Sequence, residues 1–253
     1  MTDLILLQRE GAVQTVRMNR PDKKNALTQA MYGAMADALT GGEADDAVAV
    51  HVLAGAGDDF TAGNDLNDFL SVRSLTGSEV GRFLDVLAGL AKPLVAAVKG
   101  AAVGVGSTML LHCDLVIAGT GTRFQFPFVN LGLVPEAASS LLLPRLAGYQ
   151  RAAELLLLGE PFDAAKAREA GLVNYVVPAG EEEAQAMVLA QRLALRPRQA
   201  LRNTKALLKA ESEPVADRIA REARLFEAAL TSPELKEAVA AFLERRPADF
   251  SRL

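Results

Sequence analysis

One carboxylate in this 253-residue chain stands in surroundings that suit acid–base chemistry. Glu136, in "NLGLVPEAASSLLLP", follows a proline, precedes small residues, and has the apolar run Leu141 to Leu143 close behind it. Apolar neighbours such as Phe128, Val134 and that run would strip water from the carboxylate, raising its pKa and making it a stronger base once ionised. The structural alternative is a place in the first turn of a helix, where an acid after a proline is favoured by the helix dipole.

Two glycine-rich segments are candidates to complete a site around it. "FTAGNDL" (60–66) and "KGAAVGVGSTMLL" (99–111) each follow a strand-like run. Glycines at such corners let a ligand approach backbone N–H groups before a helix begins. Neither segment is a phosphate loop, because the Gly-Lys-Ser/Thr ending is missing and "GAAVGVG" does not fit the Gly-x-Gly-x-x-Gly dinucleotide fingerprint. Taken singly, the same glycines equally serve tight turns and close packing. His51 and His112 have no nearby nucleophile and no metal-ligand spacing, so both read as packed and hydrogen-bonded. Cys113 reads as a small core residue and Asp114 as a turn anchor.

The elements that must position these residues follow from the apolar pattern. Leu4 to Arg9 and Val13 to Met18 flank "EGA" as a hairpin, and "NRPDKKNAL" is a polar loop. Thr28 is placed to cap a helix running to about Leu39. "AVAVHVLAG" (Ala47 to Gly55), "LVAAV" and "CDLVIAG" are short, continuous apolar runs of the kind buried on both faces of a sheet. Helical patterns lie between them, which predicts an α/β fold of parallel strands and crossover helices. From about Glu181 the pattern is helical almost throughout, broken at "RPRQA" and "ESEP", and its amphipathic helices could pack on their own core or a neighbour's.

Composition narrows the classes. Half of the residues are hydrophobic and the net charge is −4, which argues against disorder and against non-specific nucleic-acid binding. Lys99, His112, Asp114 and several glycines interrupt the long apolar stretch from Leu94 to Gly119, so it reads as buried structure and not as a membrane span. A single cysteine and an amino terminus without signal-peptide character fit a reducing, cytoplasmic setting. The ending "SRL" is close to the peroxisomal SKL address, which leaves peroxisomal targeting as the alternative.

"NRPDKKNAL", "FTAGNDL", "KGAAVGVGSTMLLHCDLVIAG", "FQFPFVNLGLVPEAASSLLLPRLAG" and "EAGLVNYVV" occur in the order and spacing of one family. Over nearly its whole length the chain resembles the crotonase, or enoyl-CoA hydratase/isomerase, superfamily. The resemblance implies a spiral core of ββα repeats with two nearly perpendicular sheets (residues 1–195), followed by a C-terminal helical trimerisation region (196–253) of the same functional unit. It implies a homotrimer or a dimer of trimers. The substrate would be an acyl-CoA thioester, with coenzyme A part of that substrate and no separate cofactor or metal.

In such a protein two backbone N–H groups stabilise the enolate-like oxyanion of the thioester, and these map to Asn64 and Val105. The two glutamates with which hydratase members hold water map to Thr108 and Phe128, neither of which is a carboxylate. Glu136 instead resembles the single glutamate of the peroxisomal-type Δ3,Δ2-enoyl-CoA isomerases, which implies a proton shuttle from C2 to C4 of a 3-enoyl-CoA. CoA contacts map to Lys24, Ala26, Leu27, Ala62, Asp65 and Leu66, and at the C-terminal helix to Phe242, Arg245 and Arg246. The alternatives are another acyl-CoA reaction of this superfamily (an atypical hydratase, a thioesterase or a dehalogenase) or a CoA-binding protein without catalysis. The segment Leu70 to Glu79 is expected to be mobile beside the acyl chain.

Overall fold

A computed structural model describes residues 3–69 and 74–250. β1 (Ile5–Glu10) and β2 (Val13–Met18) form the expected antiparallel hairpin, with Ile5 opposite Met18 and Glu10 opposite Val13. Thr28 caps α1 (Gln29–Ala44), its side-chain oxygen accepting the Met31 N–H at 3.3 Å. This helix runs past the expected end at Leu39. The reason is packing: a Cβ at Gly42 would lie 2.5 Å from His51, so the glycine brings helix and sheet together instead of ending the helix. β3 (Val50–Gly55) starts later than the sequence pattern suggests, because the Ala47 N–H is held by Asp45 Oδ1 in a turn.

The chain continues through α2 (Leu66–Phe69), α3 (Glu79–Gly89), β4 (Leu94–Val98), β5 (Ala101–Val103), α4 (Val105–Thr108), β6 (Leu115–Gly119) and β7 (Arg123–Gln125). Then come α5 (Ser139–Ala147), α6 (Tyr149–Leu158), β8 (Phe162–Asp163), α7 (Ala164–Glu169) and β9 (Tyr175–Val177). Four helices finish it: α8 (Glu182–Ala194), α9 (Arg198–Lys209), α10 (Val215–Ala229) and α11 (Pro233–Glu244).

A six-stranded sheet has the order β1-β2-β3-β4-β6-β9, parallel except for the β1–β2 pair. Its central strands are buried on both faces, as their unbroken apolar runs predict. In β4, Leu94, Ala96 and Val98 face the larger core, which includes α1 and α3, while Val95 and Ala97 face α8 through Ala186, Leu189 and Ala190.

A second, three-stranded sheet has the order β5-β7-β8. Each of β4 and β6 passes at once into one of its strands, and after β3 the same layer is reached by a bridge from Thr61 to Ala102. This strand-to-short-strand repeat is the ββα unit of the fold. Its short strands carry too few residues for a period-2 pattern to show in the sequence.

The helical tail divides. α8 covers the large sheet, and α9 is pinned to the core by Lys205, whose Nζ donates to Lys92 O and Asp114 Oδ2, both at 2.7 Å. On α10 no residue is fully buried, and Val215, Ile219 and Phe226, with Leu230 just past its end, are exposed along one face. Among the described residues, no helix is long and apolar enough to cross a membrane. The carboxyl-terminal SRL and residues 70–73 of the expected mobile segment lie outside the described residues; Ser78, at the end of that segment, caps α3.

Candidate active site

The two glycine segments run side by side. Thr61 N–H donates to Ala101 O at 2.9 Å, and Val103 N–H returns to Thr61 O at 3.1 Å. Gly63 closes the approach: its φ is +92°, and a Cβ there would stand 2.7 Å from Val103 O. Leu27 grips the first turn from outside, donating its N–H to Gly63 O and accepting the Asp65 N–H, both at 2.8 Å. Asn64, between those two bonds, has a backbone N–H with no acceptor among the described residues.

The second turn leaves an equivalent group. Gly104, at φ +56° and ψ −119°, takes a conformation closed to side-chain-bearing residues and turns β5 into α4. Its carbonyl accepts the N–H groups of Ser107 and Thr108, both at 2.9 Å, while the N–H of Val105, the first helical residue, finds no acceptor among the described residues. α4 is a single turn, so the free N–H itself, more than a long helix dipole, favours negative charge here.

Glu136 arrives from another direction, and not as a helix residue. α5 begins only at Ser139, and between them Ala137 (φ +52°) and Ala138 (φ +56°) are both left-handed, a conformation costing about 1–2 kcal/mol per residue for L-side chains. Three hydrogen bonds hold the strained turn. Ser139 N–H and Oγ both donate to Glu136 O, at 2.9 and 2.7 Å. His112 Nε2 lies 2.9 Å from Ala137 O and must be the protonated nitrogen, since a carbonyl only accepts. Burial, reinforced by the charge of Lys209 and opposed by the hydrogen bond to Ala137, lowers the His112 pKa.

The Glu136 carboxylate faces Thr108, whose hydroxyl donates to Oε1. Burial raises the pKa of Glu136 and the Thr108 hydrogen bond opposes part of that rise, leaving it above the ordinary value. Asn64, Val105 and Glu136 line one cavity of about 640 Å³, together with Phe128, Val134 and Ala62. Glu136 is its only charged lining residue among those described. The cavity therefore offers two free backbone donors, one desolvated base and apolar walls. Such a set can hold an oxyanion and move a proton next to it.

The other expected contact residues are placed as follows. Ala62 and Leu66 line the cavity. Lys24 and Ala26 do not line it: Lys24 is exposed, with its carbonyl accepting the Ala62 N–H at 2.9 Å, and Ala26 is half-buried, with its carbonyl accepting from Arg20 at 3.0 Å. Leu27 is buried, with both backbone groups engaged by the Gly63–Asp65 turn, so here it braces that turn. Asp65 pairs with Arg20 at 2.7 Å, which holds its carboxyl below the usual range, and it also accepts the Asp68 N–H. Phe242, Arg245 and Arg246 lie on or just past α11 and do not line this cavity; Phe242 is 82% exposed and Arg246 is engaged by Glu237 and Glu244.

His51 is wholly buried, with Nε2 3.4 Å from Glu43, and burial pushes the Cys113 thiol up to about 12. Asp114 anchors the Leu94 N–H at 2.7 Å, as its reading as a turn residue expects. Sequence reasoning missed Tyr32, whose hydroxyl donates to Asn64 Oδ1 at 2.5 Å, and the grip of His112 on the Glu136 turn. Nothing in local spacing announces either contact. Among the described residues there is no cluster of three or more His, Cys, Asp or Glu suited to a metal ion.

Comparison with known proteins identifies the family. A family profile for enoyl-CoA hydratase/isomerase matches residues 8–252. The 1,2-epoxyphenylacetyl-CoA isomerase of Escherichia coli (strain K12) is 36% identical, over 99% of this chain and 99% of that protein. Enoyl-CoA delta isomerase 2 of Rattus norvegicus is 36% identical, over 96% of this chain and 64% of that protein. A solved chain from Magnetospirillum magneticum AMB-1, provisionally named enoyl-CoA hydratase/carnithine racemase, superposes with a TM-score of 0.97 at 55% identity, over 100% of both chains.

Proposed function

The chain belongs to the enoyl-CoA hydratase/isomerase family, and within it we propose that this enzyme moves a double bond of an acyl-CoA thioester from C3–C4 to C2–C3. The relatives' names divide between isomerase and hydratase, so the choice rests on the cavity. The observation that carries it is that Glu136 is the one acid among the described lining residues. The places from which the resemblance would have two water-holding glutamates act are filled by Thr108 and Phe128.

In this reading the thioester oxygen sits between the N–H groups of Asn64 and Val105. Glu136 removes a proton from C2, the C2–H electron pair passes into a dienolate, and negative charge gathers on the thioester oxygen. Each preorganised donor there is worth roughly 3–4 kcal/mol in the transition state. The protonated Glu136 then returns its proton to C4, and the electrons close as C2=C3. Atoms balance without water, and no cofactor is needed beyond the CoA carried by the substrate. Lys24, Ala26, Ala62 and Leu66 are the proposed neighbours of the CoA arm. The bare apolar face of α10 supports burial by further copies of the chain, as a homotrimer or a dimer of trimers.

The test follows ultraviolet absorbance as a 3-enoyl-CoA becomes the conjugated 2-enoyl thioester, with the wild type beside Glu136→Gln. Conjugated product with no gain of water, and a loss of roughly 100-fold in the variant, is the expected result. Equal activity in the two, or a hydrated product, overturns it.

A further inference from the structure

Tyr32 projects from α1 toward the first oxyanion turn and is 1% exposed. Its ring packs against Phe83 with centroids 5.5 Å apart, and its hydroxyl donates to Asn64 Oδ1 at 2.5 Å. The direction of that bond is fixed. Burial, then the negative charges of Glu136 and Asp68, hold the phenol pKa well above its ordinary value, so the hydroxyl keeps its proton and the amide oxygen accepts it. Asn64 lines the cavity in which the thioester would lie, whereas Tyr32 is not among the lining residues and meets Asn64 through this bond.

The backbone explains why such a bond matters. Leu27 ties down Gly63 O on one side of Asn64 and Asp65 N–H on the other, but the Asn64 N–H is itself unbound among the described residues. Each of the two peptide units flanking Asn64 is thus held to Leu27 by one hydrogen bond, about which its plane can still rock. The remaining hold on residue 64 is its side chain, and the rigid, packed ring of Tyr32 supplies it. Oxyanion donors earn their effect from fixed aim, so a small loss of order at this amide is felt in the transition state more than in binding.

We propose that Tyr32 is a positioning residue for the oxyanion hole, acting through the Asn64 carboxamide to aim the Asn64 backbone N–H at the thioester oxygen. The proposal rests on the oxyanion reading given above and goes beyond it by assigning a residue that touches neither the substrate nor the reacting atoms.

Tyr32→Phe keeps the ring and its packing and removes only the donor. It should lower kcat about tenfold with KM and melting temperature close to wild type. Asn64→Ala keeps the backbone N–H but removes the amide, and should lose a similar factor. The double variant should be no worse than the Asn64→Ala single, because both substitutions break one link. Losses that multiply, or no loss in Tyr32→Phe, overturn the proposal.

A second readout does not depend on turnover: the infrared carbonyl band of hexanoyl-CoA carrying carbon-13 at the thioester carbon. Bound to wild type the band should move to lower frequency, and bound to Tyr32→Phe it should move distinctly less. Equal displacement in both proteins overturns the role of Tyr32. A displaced band in a wild type that does not convert 3-enoyl-CoA overturns the isomerase reading alone, and the variant's band still decides on Tyr32. An undisplaced band in wild type removes the oxyanion hole and this proposal together.

Discussion

Replacing Thr108 by valine exchanges a hydroxyl for a methyl group at a wholly buried position, so the change falls on the hydrogen bond to Glu136 Oε1. A hydrogen bond to a charged group is worth about 1.5–3 kcal/mol, and 1.36 kcal/mol corresponds to one pKa unit, so the shift at Glu136 should be about 1–2 units. Its sign follows from the two forces on the carboxyl. Burial raises the pKa and the Thr108 hydroxyl lowers it, so removing the hydroxyl leaves burial unopposed. On the proposed reading Glu136 must be ionised to accept the C2 proton, so activity falls as pH drops through its pKa. In Thr108→Val the acid limb of kcat/KM for 3-enoyl-CoA should therefore lie about 1–2 pH units higher, with substantial turnover kept on the alkaline plateau. Thr108→Ser should return the limb toward wild type. Coincident limbs, or a limb displaced to lower pH in the valine variant, would refute the reasoning.

Glu136→Gln should also stabilise the fold. The native pKa is raised above its unfolded value, so stability declines as pH rises between the two, and above the native pKa the full cost of the buried charge is present. The variant should melt higher than wild type near pH 8, with the gain gone below about pH 4; an equal gain at both pH values would contradict the linkage. Gly63→Ala places a Cβ 2.7 Å from Val103 O at a φ of +92°, and on the proposed reading should cost roughly 100-fold in kcat/KM by spreading the two glycine turns. Near-normal activity would show that the turns are not interlocked. Lys205→Met removes the 2.7 Å bonds to Asp114 and Lys92 O that pin α9, and should cost about 3 kcal/mol in urea unfolding, at the lower end for buried pairs because Asp114 is partly exposed. A loss under about 1 kcal/mol would mean that α9 is held by apolar packing alone.

What the sequence disclosed followed from how each element is buried. β3, β4 and β6 were legible because burial on both faces leaves an unbroken apolar run, and α1 was legible at its start because Thr28 is a local capping signal. The small sheet was hidden from periodicity: β5 and β7 have three residues each, and their partners lie in other repeats. The helix runs to Ala44, beyond the expected end near Leu39, because Gly42 is a packing contact with His51. In the site, Asn64, Val105 and Glu136 were reached through motif resemblance. The bonds that tune them, Thr108 to Glu136 and Tyr32 to Asn64, join residues 28 and 32 positions apart, and only the folded chain brings them together.

A family whose name spans hydration and isomerisation makes physical sense when the most demanding part of its site is backbone. The N–H groups of Asn64 and Val105 are presented by Gly63 and Gly104 and by a ladder between two turns, so the side chains at 64 and 105 are free to vary without losing the donors. On the proposed reading the reaction is then selected by which acids face the carbon chain from the surrounding loops. Here the strained turn at Ala137 and Ala138, anchored by His112 and Ser139, directs one carboxylate inward, and Phe128 fills with apolar surface a wall where an acid could have held water. Removing water from a base raises its proton affinity and also deprives it of the nucleophile that hydration needs. On the proposed reading those two consequences of one apolar wall favour proton transfer between carbons over addition, so restoring an acid at 128 alone should damage isomerisation before it creates a hydratase.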